Sequence, residues 1–199
     1  MKIIVVGATG TIGKAVADAL AARHEVIRVS RSGDPAANLE DEASLKRLFE
    51  AVKGVNAVVS CAGSAAFKPL AALAGPDYEV GLRSKLMGQV NLARLAMQHL
   101  ADGGSITLTG GVLAHEPMPG GAAISMVNAA LEGFVTGAAV EAPRGIRINV
   151  VSPPWISETL QKLGMNAPGA ISAAACAKAY AASVEGDLTG KTIDARKYA

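Results

Sequence analysis

The amino-acid sequence predicts a single α/β domain of the Rossmann type, with a doubly wound parallel sheet in a three-layer α/β/α arrangement. Short apolar runs bounded by turn residues alternate with longer segments in which apolar residues recur at helical spacing. The chain has 199 residues, of which 50% are hydrophobic, and this is enough for one sizeable core. No linker or internal repeat divides it, so we assign residues 1–199 to one domain.

The stretch Lys2 to Gly13, KIIVVGATGTIG, predicts a strand, a tight turn and the start of a helix. Its three glycines are spaced as in a dinucleotide-binding turn, although an ordinary glycine turn is the alternative interpretation. The N–H groups and dipole of the following helix would point at a bound phosphate. The candidate cofactor contacts in this turn are Gly7, Thr9, Gly10, Thr11, Ile12 and Gly13.

The remaining elements follow in order along the chain. Further strands are predicted over 25–30, 55–61, 105–109, 146–151 and 191–195. Helices are predicted from three apolar stripes and from the alanine-rich segment that precedes the last strand. The stripes are Leu45, Leu48, Phe49 and Val52; Leu82, Leu86, Val90, Ala93, Met97 and Leu100; and Val127, Leu131, Phe134 and Ala138.

Composition excludes several classes of partner. The formal charge is +2 and the basic residues are scattered, so we expect no binding to nucleic acid or to a membrane surface. No run reaches the ~18 uninterrupted apolar residues of a membrane span, and no signal peptide is recognisable. We therefore expect a cytoplasmic protein. Cys61 and Cys176 lack metal-ligand spacing and a disulfide framework, so no metal site is predicted.

Ligands of a doubly wound sheet bind at the carboxyl ends of its strands. The second strand ends in Ser30-Arg31-Ser32 instead of the acidic residue that binds a ribose 2′-hydroxyl. A guanidinium at this position favours the 2′-phosphate of NADP over NAD, whereas a solvated loop arginine is the alternative. After the third strand, Ala62 and Gly63 are small enough for a nucleotide to lie against them.

These residues resemble the short-chain dehydrogenase/reductase family over nearly the whole chain. Ala62-Gly63 is similar to the end of the family's Asn-Ala-Gly motif, and Asn38-Leu39 is similar to its Asp-Val pair, which holds the adenine. The run from Ala129 to Pro153 resembles the fifth helix and sixth strand of the family, and Leu188-Thr189-Gly190 resembles its Leu-Thr-Gly. The glycine spacing of the opening turn instead follows the extended and atypical branches.

The resemblance implies an NADP(H)-dependent oxidoreductase that acts on a small carbonyl or alcohol substrate. It also implies a homodimer or homotetramer that pairs its long helices. Pro153 would contact the nicotinamide, because Pro153-Pro154-Trp155-Ile156 resembles the family's Pro-Gly loop.

The family's catalytic residues are missing from their usual positions. Alignment on the resemblance puts Ile124 at the place of the tyrosine, Asn128 at the lysine, Gly111 at the serine and Lys85 at the asparagine. Isoleucine has no ionisable proton, so the usual tyrosine mechanism cannot operate at this position.

Lysine and asparagine have exchanged places relative to the family pattern, which makes Lys85 and Asn128 the candidate catalytic residues. A solvated helix lysine is the alternative for Lys85. His115, in the loop before the fifth helix, is a further acid–base candidate, with an exposed loop histidine as its alternative. The missing residues leave open a catalytically inactive NADP(H)-binding sensor or scaffold.

Overall fold

The computed structural model describes residues 1–199 and contains one parallel sheet of six strands in the order β2-β1-β3-β4-β5-β6. This confirms the predicted doubly wound sheet. The strand order reverses direction at β1, which pairs with β2 on one side and β3 on the other. The strands are β1 (Lys2–Val6), β2 (Glu25–Val29), β3 (Ala57–Ser60), β4 (Ser105–Thr109), β5 (Arg147–Ser152) and β6 (Thr192–Asp194).

Helices cover both faces of the sheet and complete the three layers. They are α1 (Thr11–Ala21), α2 (Glu42–Ala51), α3 (Gly75–Val80), α4 (Gly88–His99), α5 (Ala122–Glu141), α6 (Ser157–Leu163) and α7 (Ala173–Glu185). Because strand side chains alternate, each face of the sheet has its own core. Ile4 and Val6 pack with α2, α4 and α5, whereas Ile3 and Val5 pack with α1 and α7.

The prediction of one continuous helical stripe from Leu82 to Leu100 is wrong at Leu82, whereas Leu86, Ala93, Met97 and Leu100 pack against the core as predicted. Residues Gly81–Met87 form a π-helical segment, and the N–H of Gly88 bonds to the carbonyl of Arg83, five residues back. The wider turn changes the helical phase, so Leu82 is 37% exposed and Leu92 and Leu95 face the core. Sequence periodicity assumes 3.6 residues per turn and therefore misses this change.

Helix α5 is long and apolar enough, by length and composition alone, to span a membrane. It packs against the sheet through Val127, Leu131 and Val135. Its opposite face carries small residues, and a side chain added at Gly133 or Gly137 would meet no atom within 4 Å.

Candidate active site

Two adjoining hollows lie at the carboxyl ends of the strands, at the point where the sheet reverses direction. The inner cavity has a volume of about 280 Å³ and lies among the residues that follow β3, β4 and β5. The outer cleft, of about 230 Å³, extends from it over the ends of β1 and β2. Cys61, Ala62 and Gly63 line both, so together they form one continuous site.

The glycine turn at the floor of this site fits a dinucleotide. Gly7 has a φ of +84°, and a Cβ on it would lie 2.9 Å from the backbone of Cys61, so only glycine lets the two chain segments approach. A Cβ on Gly13 would lie 2.1 Å from the Gly7 carbonyl oxygen. Helix α1 has no side-chain cap at Gly10, which leaves its first N–H groups available to a diphosphate.

The outer cleft brings together most of the residues predicted for the adenosine end of the cofactor. Arg31 is exposed and, unlike Arg28, which is paired with Asp18 at 2.8 Å, has no ion pair. Asn38 uses its side-chain oxygen to accept a hydrogen bond from the N–H of Glu40 at 3.2 Å. The predicted residues that line the cleft are Gly7, Thr9, Gly10, Ser30, Arg31, Asn38, Leu39, Ala62 and Gly63.

Lys85 reaches the inner cavity from the π-helical segment. Its Nζ donates a hydrogen bond to the carbonyl oxygen of Gly110 at 2.9 Å, and desolvation by burial lowers its pKa from 10.5 to about 8. Gly63 permits this approach, because a Cβ there would lie 2.9 Å from the Cα of Lys85. The structure thus places the titratable ammonium of Lys85 in the inner cavity, where burial removes part of its hydration.

Asn128 lies on α5 in the same cavity. It is 1% exposed, and its Nδ2 donates to the carbonyl oxygen of Gly111 at 3.2 Å. Lys85 and Asn128 therefore hold two successive carbonyls of the turn that follows β4. Ile124 lies one helical turn before Asn128 and also lines the cavity, without any group that can transfer a proton.

A buried tyrosine lies next to this site but does not enter it. The Oη of Tyr180 is 2.7 Å from Oγ1 of Thr109, which lines the inner cavity. Tyr180 is fully buried, so its phenol cannot contact a substrate directly. The same burial strongly raises its pKa by desolvation. Burial, together with the neighbouring Cys176 thiol, likewise raises the pKa of Cys61, which stays a neutral thiol.

Gln89 positions the site, although only one weak feature of the sequence points to it. Its fully buried Nε2 donates to the carbonyls of Lys85 and Thr109, and its Oε1 accepts from the N–H of Thr109, at 2.9 to 3.0 Å. The side chain therefore ties the π-helical segment to the end of β4. A polar residue within a predicted core stripe is the only available signal.

Four of the predicted site residues line neither hollow, namely Thr11, Gly13, Ser32 and His115. His115 is 68% exposed in its side chain and bonds through Nε2 to Glu132 at 2.6 Å, so the structure does not bring it to the inner cavity. Ser32 lies in the exposed loop after β2. Pro153 lines the inner cavity together with Ile12 and Trp155.

Lys162, on α6, is a further cation that the sequence did not single out. Its Nζ donates to Oγ1 of Thr11 at 3.2 Å and so lies at the N-terminus of α1. Glu158, also on α6, accepts the N–H of Ala173 with both oxygens at 3.0 Å. Glu158 therefore holds the start of α7 and lines neither hollow.

Comparison with known sequences shows similarity to proteins described as reductases. A family model described as enoyl-(acyl carrier protein) reductase matches residues 6–184. A hydroxynaphthalene reductase-like protein, Arp2, of Metarhizium brunneum is 32% identical over 75% of this chain and 66% of its own length. Hydroxynaphthalene reductase arp2 of Aspergillus fumigatus is 30% identical over 52% of this chain and 38% of its own length. The chain spans about two thirds of the length of the Metarhizium relative.

Solved structures agree over the entire fold. The protein lin1944 from Listeria innocua superposes with a TM-score of 0.93 at 41% identity, covering 98% of both chains. A small-chain dehydrogenase in complex with NADPH superposes with a TM-score of 0.87 at 27% identity, covering 98% of this chain and 95% of its own. With its doubly wound sheet, its glycine turn and a family match over most of its length, the chain belongs to the short-chain dehydrogenase/reductase family.

Proposed function

We propose that this protein is an NADP(H)-dependent oxidoreductase that interconverts a carbonyl compound and its alcohol, with Lys85 in place of the usual proton donor. The observation that carries the proposal is the Lys85 ammonium in the inner cavity, with its pKa lowered to about 8. Such a pKa lies close to the working pH, where a group can both give and take a proton. An NADPH-bound relative of the same fold supports the choice of cofactor.

Different residues of the chain would bind the cofactor and transfer the proton. The glycine turn and the N-terminus of α1 would hold the diphosphate, and Arg31 would hold the 2′-phosphate. The bound nicotinamide cofactor supplies or accepts the hydride. Lys85 would donate a proton from Nζ to the carbonyl oxygen of the substrate, and the resulting amine would regain a proton from solvent at the open mouth of the cavity.

Asn128 would keep the turn after β4 in place by holding the carbonyl of Gly111. This turn also accepts the hydrogen bond from Lys85, so its position sets the direction in which the ammonium points. Asn128 is therefore a positioning residue.

The experiment is NADPH oxidation against a panel of ketones, aldehydes and enones, with NADPH binding measured separately by fluorescence. Turnover that falls as the pH rises through about 8, and that Lys85→Met abolishes while NADPH still binds, would support the proposal. Turnover that persists in Lys85→Met would refute the role of the lysine.

A catalytically silent NADP(H)-binding sensor is the second candidate. Ile124 and Gly111 line the cavity at the places of the family's tyrosine and serine, and neither offers a proton. Loss of acid catalysis alone costs on the order of 10²- to 10⁴-fold in rate. Tight NADPH binding with no turnover of any compound in the panel would favour the sensor.

A further inference from the structure

The inner cavity has room for little more than the reacting ends of the two molecules. Its volume of about 280 Å³ must contain the nicotinamide ring as well as the carbonyl group of the substrate. Leu113, Ile124 and Trp155 form its apolar wall. The remainder of any larger substrate must therefore extend beyond this wall.

A third hollow, the side cavity, lies between the loop after β3 and the loop before α5, with a volume of about 560 Å³. Its walls are mainly apolar and include Phe67, Pro69, Leu70, Pro117, Met118 and Pro119. The N–H of Lys68 donates to the carbonyl of Gly120 at 3.0 Å and ties the two loops together. Pro69 in one loop and Pro117 and Pro119 in the other restrict the backbone further. The side cavity is therefore a fixed feature of the folded protein.

The side cavity adjoins the inner cavity at a pair of aromatic rings. Phe67 lines the side cavity and Trp155 lines the inner one, and their ring centroids are 6.1 Å apart in an edge-on arrangement with an interplanar angle of 86°. Phe67 is 43% exposed. A substrate that extends out of the inner cavity on this side would therefore pass the rings of Trp155 and Phe67 before it reaches Leu70 and Met118.

The charge around the side cavity is already compensated. Lys68, its only ionisable lining residue, donates from Nζ to both carboxylate oxygens of Asp77 at 2.8 and 2.9 Å. No free cation remains to bind an anionic tail. Transfer of an apolar group into this hollow is favoured by the hydrophobic effect, whereas a carboxylate would lose its hydration without gaining a partner.

We propose that the side cavity binds the apolar body of the substrate, so that the protein acts on neutral, elongated carbonyl compounds. This inference rests on the proposed function in one respect, because the substrate's reacting group is placed at Lys85. It deepens that proposal by assigning a second binding region to residues of two loops that hold no catalytic group.

The test uses Trp155, the only tryptophan of the chain, which lies at the boundary of the two cavities. Straight-chain methyl ketones of increasing length are titrated against the NADPH complex and followed by tryptophan fluorescence. Each added methylene should tighten binding by roughly twofold to fourfold until the side cavity is filled. Leu70→Asp and Met118→Ser should each weaken binding of the longest ketone by roughly tenfold and leave the shortest ketone unaffected.

Val140→Asp is the matched control, since Val140 is 86% exposed on α5 and lies in neither cavity. It should leave the dependence on chain length unchanged. The fatty acid of matching length should bind more weakly than the ketone. Chain-length dependence that survives both Leu70→Asp and Met118→Ser, or tighter binding of the fatty acid, would overturn the inference.

Turnover of the same ketones is measured separately, so the two proposals can fail independently. Absence of turnover, with ketone binding that still depends on Leu70 and Met118, would refute the proposed function and support the side cavity as a binding site. Turnover of short and long ketones with equal KM in the parent protein and both variants would refute the side cavity and support the proposed function.

Discussion

Replacement of Lys85 by methionine should make the protein more stable while it removes turnover. Methionine has a similar length and shape but needs no hydration, so the cost of burying an ammonium disappears. The pKa of Lys85 falls from 10.5 to about 8, which corresponds to a cost on the order of 3 kcal/mol for the charged form. The variant also loses the hydrogen bond to Gly110, which contributes about 1 kcal/mol. We therefore expect Lys85→Met to be more stable by about 1 to 2 kcal/mol near neutral pH.

The sign of the effect follows from the protons bound in each state. Below a pH of about 8 the lysine is protonated in both the folded and unfolded protein, and the full cost of burial is present. Between about 8 and 10.5 only the unfolded state is protonated, so the parent protein gains stability as the pH rises. The advantage of the methionine variant should therefore be largest near neutral pH and shrink towards pH 10.5.

The assay is thermal unfolding of both proteins at several pH values, together with NADPH binding and ketone turnover. The advantage near neutral pH should appear as a melting temperature higher by a few degrees, at about 2 to 4 °C per kcal/mol. Lys178→Met, at an exposed lysine of α7, is the control and should change neither stability nor its pH dependence. A Lys85→Met protein that is less stable at every pH would refute the reasoning, because the ammonium would then be held by net favourable contacts.

The remaining predictions concern the cofactor and the assembly. Arg31→Ala should weaken NADPH binding by roughly tenfold or more and leave NADH unchanged, as measured by fluorescence titration; equal losses would remove the 2′-phosphate role. Lys162→Met should weaken both cofactors by the same few-fold factor, because its Nζ lies at the N-terminus of α1, where the shared diphosphate would bind; a loss confined to NADPH would contradict this placement. Light scattering at micromolar concentration should show a dimer that pairs the small-residue face of α5. Gly133→Leu should yield a folded monomer, because its Cβ has open space within the protomer while the side chain blocks that face; a monomeric parent protein would rule the dimer out.

Much of the fold can be predicted from the sequence because its strands are buried on both faces. Runs such as IIVV in β1 and AVV in β3 are continuously apolar, and the turn residues between elements mark where each one ends. Gly7 and Gly13 could be assigned on steric grounds, since the turn needs positions without a Cβ, and the structure has both. The bounds of β4 agree with the predicted 105–109, and the other strand boundaries differ from the predicted ones by at most two residues.

The site is harder to predict because it depends on contacts between distant parts of the chain. Gln89 acts across 20 residues on Thr109, and Phe67 meets Trp155 from another loop, and no local pattern encodes either contact. A search for apolar residues at 3.6-residue spacing cannot detect the π-helical segment, although this segment sets the direction in which the Lys85 side chain points. His115 shows the opposite error, because a suitable side chain in a suitable loop does not determine where that side chain points.

The departures from the family pattern are coupled to one another in space. A Cβ at Gly111 would lie 2.8 Å from Nδ2 of Asn128, so a serine at 111 is incompatible with the present position of the asparagine. With only glycine there, Asn128 can hold the carbonyl of Gly111 while Lys85 holds that of Gly110. Gln89 then fixes the carbonyl of Lys85 itself and the backbone of Thr109. Oδ1 of Asn128 is buried and has no partner within the protein, so it remains available to a donor on a bound cofactor or substrate. The mutual fit of Gly111, Asn128 and Lys85, together with this free acceptor, favours a site rebuilt around a lysine, which is why we place the oxidoreductase ahead of the silent sensor.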